Sequence, residues 1–167
     1  MSAAGTPEER LADLGLSLPP VTPPVAAYVP AVRTGIYVYT SGQLPMVDGV
    51  LLATGKVGAE VDAESAAQLA RRCALNALAA IRAEIGELGE VRRVVKVVGY
   101  VASAPGFTGQ PQVINGASEL LGAVFGDAGR HARSAVGVAV LPLDAPVEVE
   151  LVVELRAGPI PTAADGG

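Results

Sequence analysis

At 167 residues the chain is long enough for one domain with a real core and too short for two comfortable ones. Half of the residues are hydrophobic and 17% are charged, with mean hydropathy +0.43, so a lone copy struggles to hide its apolar surface and association between copies is expected. The net charge of −5 and the twelve scattered lysines and arginines argue against a phosphate-backbone ligand, while a single cysteine, Cys73, and a single histidine, His131, rule out an internal disulfide and argue against a Cys/His metal centre.

No apolar run reaches the roughly 18 residues needed to cross a bilayer. The opening MSAAGTPEERLADLG carries acidic residues and lacks the apolar stretch of a signal peptide. A cytoplasmic protein with a small-molecule partner is expected, with no membrane, nucleic acid, metal or organic cofactor.

Residues 1–24 read as an extended lead-in, because Leu18-Pro19-Pro20 and Pro23-Pro24 deny helix. A first edge strand follows from Val25 to Val32, with Pro30 lacking an amide donor. Arg33-Thr34-Gly35 reads as a turn and Ile36–Thr40 as a strand that ends at Ser41-Gly42-Gln43-Leu44-Pro45. Asp48-Gly49 predicts a tight turn before a short strand at Val50–Leu52, and Thr54–Gly58 a flexible loop without the spacing of a phosphate cradle.

A long helix is predicted from Ala63 to Ile85, with Asp62 as N-cap and Gly86 as stop. Its apolar face carries Ala66, Leu69, Ala70, Cys73, Ala77, Ala80 and Ile81. Val91–Ser103 is a near-continuous apolar strand of the kind buried on both faces. After the loop Ala104–Phe107, Gln110–Phe125 shows a second helical pattern with Pro111 in its first turn.

The last stretch holds two β-rich runs, Ser134–Leu141 and Val147–Leu155, read as a hairpin centred on Leu143 and Asp144. On that register Ser134, Val136, Val138 and Val140 share a core face with Val147, Val149, Leu151 and Val153. Arg133, Ala135, Gly137 and Ala139 then share the second face with Glu148, Glu150, Val152 and Glu154. Arg133 and Glu148 are placed on one face but roughly 20 Å apart along the ribbon, so they can act together only through a bulge, a twist or a second subunit. The fold class is α+β, a mixed sheet with two helices packed on one face.

Taken together, Tyr28, Ser41-Gly42-Gln43-Leu44-Pro45, Asn76, the Val94–Val101 strand, Asn115, Ala132-Arg133-Ser134, Leu141-Pro142 and Val147-Glu148-Val149-Glu150 resemble the RidA (YjgF-type) enamine/imine deaminase superfamily over about 130 residues. The resemblance implies a chorismate-mutase-like fold over residues 25–156, followed by a flexible tail at 157–167. It also implies a homotrimer with sites between subunits, and hydrolysis of reactive 2-imino acids and enamines to 2-keto acids and ammonia. Arg133 would hold the substrate carboxylate, Glu148 would orient or activate water, and Tyr28 and Asn115 would line the pocket. A guanidinium matches a carboxylate with two parallel donors, and imine hydrolysis needs water and proton transfer rather than a covalent nucleophile.

Many members of that family carry a cysteine two residues after the arginine, where this chain has Ala135. The GRHARSAVG segment also marks a divergent subgroup. The alternative function is a non-catalytic trimeric binder of small carboxylates, and a nuclease is disfavoured by the acidic charge. The bland readings are a salt bridge from Arg133 to Glu150 or Glu154, a turn-stabilising hydroxyl for Ser41, a loop position for His131 and a buried thiol for Cys73.

Overall fold

A computed structural model describes residues 5–21 and 27–156. Its elements are α1 (Pro7–Asp13), β1 (Ala31–Thr34), β2 (Tyr37–Thr40), β3 (Met46–Val47), β4 (Val50–Leu51), α2 (Ala63–Ile85), β5 (Val91–Ala102), α3 (Gln110–Phe125), β6 (Ala132–Val138) and β7 (Val147–Leu155). Five strands form one mixed sheet in the order β1-β2-β7-β5-β6, and β3 pairs with β4 alone. The expected α+β architecture is present, with α2 and α3 on one face of the sheet.

Local chemistry explains most boundaries. Asp62 caps α2 by accepting the Ser65 amide at 2.8 Å, and Gly86 ends it with φ 93°. Helix α2 buries its predicted stripe and also Ala74, Leu75, Leu78 and Ala79, because α3 packs along its flank. At Gly116 of α3 an added Cβ would lie 1.9 Å from the Ala67 carbonyl oxygen, so only glycine admits this approach. Asp48 and Gly49, both at positive φ, join β3 to β4 as the Asp-Gly signal predicts.

The predicted hairpin is not formed. Strand β5 lies between β6 and β7, parallel to the first and antiparallel to the second. A turn at Pro142–Asp144, with Leu143 and Asp144 at positive φ, leads the chain past the end of β5. There the Ser103 amide donates to the Val138 carbonyl at 3.1 Å and the Ala102 amide to the Pro146 carbonyl at 2.9 Å. An apolar strand such as β5 must pair on both edges as well as bury its helix-side residues, and it therefore inserts between the two runs that follow it in sequence.

This topology corrects the predicted faces. In β7, Val147, Val149, Leu151, Val153 and Leu155 are buried under the helices as expected. In β6 the assignment is reversed: Arg133 pairs with buried Val97, and Ala135 with Gly99, whose missing Cβ is replaced by Ile114 of α3. Ser134 and Val136 therefore face away from the helices. Val32, Tyr39 and Val136, on the open face, are each more than 40% exposed.

The lead-in is not extended throughout. Thr6 and Glu9 form a capping box, with Pro7 at the first helical position, and this local signal makes 7–13 helical. Leu11 is buried, Leu16 and Leu18 pack on the core, and Glu8 accepts the Leu88 amide at 2.6 Å. The predicted strand at 25–32 begins outside the described residues, and the observed β1 starts at Ala31 and runs on to Thr34 because the turn into β2 uses Gly35 and Ile36 rather than residues 33–35. The Thr54–Gly58 loop is pinned: Val57 is buried and bonds the backbone of Ala102 and Ala104. The predicted tail, 157–167, lies outside the described residues. Among those residues, no helix is long and apolar enough to cross a membrane.

Candidate functional site

Two clusters hold the predicted residues. The first surrounds Glu148 on β7. Beyond β2 the chain runs beside β7 a little further, where Gln43 and Val149 exchange backbone hydrogen bonds of 2.8 and 3.0 Å. Asn76 of α2 secures the same segment by donating to the Leu44 and Met46 carbonyls at 2.9 and 3.1 Å. Gly42 lies on the Glu148 carboxylate, and an added Cβ would fall 1.7 Å from Oε1.

That close backbone cover half-buries Glu148. Burial first, and the charge of Glu150 second, raise its carboxyl above the ordinary glutamate range. The Tyr100 hydroxyl donates to Glu150 at 3.3 Å and is itself held above the usual phenol range, by burial and then by the Glu150 charge. A glutamate raised in this way is suited to exchanging protons with a substrate.

Tyr28 lies just before the segment that Ser41 ties down. Its ring is half-exposed, and the segment after it is tied to Ser41, whose hydroxyl donates to Val29 at 2.6 Å and whose amide donates to Pro30 at 2.8 Å. Ser41 thus fixes a turn, as its bland reading has it.

The second cluster lies between the edge strand β6 and α3. Arg133 Nη1 donates to Asn115 Oδ1 at 2.8 Å and to Ser118 Oγ at 3.2 Å. Ser118 Oγ is 2.9 Å from His131 Nε2, and His131 Nδ1 is 2.6 Å from the Gly129 carbonyl oxygen. Among the described residues Arg133 has no carboxylate partner. Glu154 pairs instead with Arg92 at 2.8 Å, and Glu150 with Tyr100.

Arg133 and Asn115 are thus brought together, and Glu148 stands apart from both. Arg133 is opposite Val97 and Glu148 opposite Tyr100, so the two are two strands and three residues apart, about 14 Å between backbones at ordinary sheet spacings. They project from opposite faces, which overturns the shared face expected from the hairpin. Ser118 is the residue that sequence reasoning missed, and His131, read there as a loop position, joins it. The signals available were Ser118 three positions after Asn115 on one helix face and His131 two before Arg133 on one side of extended chain.

Comparisons with known proteins agree with this architecture. Residues 8–155 match the family described as "YjgF/chorismate mutase-like, putative endoribonuclease". Protein TCP17 of Trypanosoma cruzi is 45% identical, over 92% of this chain and 97% of its own. The crystal structure of Atu1372 from Agrobacterium tumefaciens, a protein of unknown function, is 48% identical, with TM-score 0.84 over 90% of this chain and 92% of that one. Escherichia coli TdcF, solved with bound serine, is 25% identical, with TM-score 0.57 over 84% of this chain and 94% of that one. The chain belongs to the YjgF/chorismate mutase-like family.

Proposed function

We propose that the protein hydrolyses 2-imino acids and their enamine tautomers to 2-keto acids and ammonia, in clefts formed between copies of the chain in a homotrimer. The observation that carries this reading is the pairing of incomplete halves. An arginine with no carboxylate partner among the described residues sits at a sheet edge, and a half-buried glutamate with a raised pKa sits on the other face. One chain cannot unite them; a neighbouring copy on the exposed apolar sheet face can.

In the reaction, Arg133 holds the substrate carboxylate through its Nε and Nη2 hydrogens, with Asn115 steadying the guanidinium. Glu148 takes a proton from water as the oxygen bonds to the imine carbon, and passes it to the imine nitrogen to give the carbinolamine. Glu148 then moves the carbinolamine hydroxyl proton to the amine, the C–N bond breaks, and ammonia leaves as the keto group forms. Tyr28 borders the cleft. All of this is acid–base chemistry, and no step calls for a metal or an organic cofactor. TdcF, with its bound serine, supports a small carboxylate as ligand.

The test is keto-acid release from 2-iminopropionate generated in situ by an amino-acid oxidase. Wild type should exceed the uncatalysed rate and Arg133→Ala should not. If neither does, the deaminase reading fails for this substrate. Pyruvate binding without turnover would instead identify a carboxylate-binding protein of the same fold.

A further inference from the structure

The hydroxyl of Ser118 and the ring of His131 stand behind Arg133, and neither takes part in the reaction described above. Their hydrogen bonds have a direction. The Gly129 carbonyl oxygen, 2.6 Å from His131 Nδ1, can only accept, so Nδ1 carries the ring hydrogen. In that tautomer Nε2 is an acceptor, and the Ser118 hydroxyl, 2.9 Å away, donates its one hydrogen there. The lone pairs of Ser118 are left for Arg133, whose Nη1 donates at 3.2 Å. The other Nη1 hydrogen goes to Asn115 at 2.8 Å.

Both Nη1 hydrogens lie in the guanidinium plane, so two acceptors fix that plane, whereas one would leave it free to roll. The relay ends on a rigid point. Gly129 is buried against α3, and an added Cβ there would fall 2.3 Å from the Leu121 carbonyl oxygen. Among the described residues, Nε and Nη2 of Arg133 donate to no protein acceptor, and this free edge is the two-pronged one that fits a carboxylate.

We propose that Ser118 and His131 are positioning residues that fix the roll of the Arg133 guanidinium and so present its Nε–Nη2 edge to a planar carboxylate ligand; this rests on the reading of Arg133 as the carboxylate anchor. His131 acts only through Ser118, and Ser118 only through Arg133. Asn115 holds the same guanidinium from the other side.

The test is calorimetric titration of the full chain with pyruvate, with the melting temperature of each variant recorded alongside. Arg133→Ala should abolish binding. Ser118→Ala and His131→Phe, the latter keeping the ring volume without the acceptor, should each weaken it about tenfold, the scale of one hydrogen bond to a charged group. His131→Gln, which offers an amide oxygen to the serine, should recover most of the affinity. A purely structural role predicts no such rescue. If Arg133→Ala loses binding while Ser118→Ala and His131→Phe bind as wild type, the relay is wrong and the anchor stands. If wild type takes up no pyruvate, or Arg133→Ala binds as wild type, the anchor reading falls and the relay with it.

Discussion

Gly116 in α3 offers a sharp test of what holds the helix layer together. Glycine inside a helix costs about 1 kcal/mol relative to alanine, yet here a Cβ would lie 1.9 Å from the Ala67 carbonyl oxygen and 2.7 Å from its carbonyl carbon. Ordinary contact begins near 3.4 Å, so Gly116→Ala must push α3 from α2 by about 1.5 Å. Backbone cannot rotate aside as a side chain can, which places the cost at the upper end of the ~1–3 kcal/mol for overpacking. Net of the helix-propensity gain, about 2 kcal/mol of stability should be lost. Gly122 is the internal control, in the same helix with nothing within 4 Å of an added Cβ, so Gly122→Ala should gain ~1 kcal/mol. At about 2–4 °C per kcal/mol for a chain of this size, calorimetry should show Gly122→Ala melting about 2–4 °C higher and Gly116→Ala about 4–8 °C lower. Asn115 and Ser118 flank Gly116, so its variant should also lose carboxylate affinity. Equal increases in melting temperature for both variants would refute the argument that Ala67 dictates the glycine.

Glu148, raised by burial and then by Glu150, binds its proton more tightly folded than unfolded. Its favourable contribution is therefore present below the unfolded pKa and is lost as pH rises through the folded one. The melting temperature of Glu148→Gln relative to wild type should thus increase over the pH range just above the ordinary glutamate value; a pH-independent difference would count against burial as the cause. Gly42→Ala puts a methyl where the Glu148 carboxylate rests, and a flexible side chain can swing away. Melting should hardly change while imine turnover falls about a hundredfold, and undiminished turnover would remove Glu148 from the mechanism. Cys73 is fully buried with its thiol pushed well above the ordinary range by burial, so Ellman's reagent should label it only after denaturation. Rapid labelling of the native protein would contradict that burial.

The two long helices were legible almost to the residue because their signals are local. Asp62, Gly86, Pro111 and the 3.6-residue periodicity all act within a turn or two of the positions they define. The inward face of β7 was legible for the same reason, since alternation marks a face whatever lies alongside. Alternation does not name a neighbour, however, and β6 and β7 were wrongly joined. In β6 it misled outright: Gly137 has Gln110 of α3 and Ser103 where a Cβ would lie and Ala135 packs against the core, whereas Val136 looks apolar enough for the core and is exposed. The α1 capping box, Thr6 with Glu9, is a local signal within the lead-in that the extended reading of residues 1–24 does not use. Arg133 stood out on a strand face of small residues, whereas Asn115 could be singled out only through family resemblance. The link from His131 through Ser118 to Arg133 was not legible, because it exists only once the crossover lays α3 over β6.

The central position of β7 has a consequence for how the chain is made. It is the last of the described strands in sequence, yet it joins β2 to β5, and its pairs with β2 link residues more than 110 positions apart. A ribbon of two short strands such as β1 and β2 is marginal in water by itself, so a nascent chain halted before Val147 holds that ribbon with no sheet to join and β5 with one edge bare. Loop closure on this scale slows folding and prolongs the exposure of unpaired edges. Synthesis must therefore run almost to the end of the domain before the sheet can close, which makes the emergence of β7 the step at which aggregation and productive folding compete.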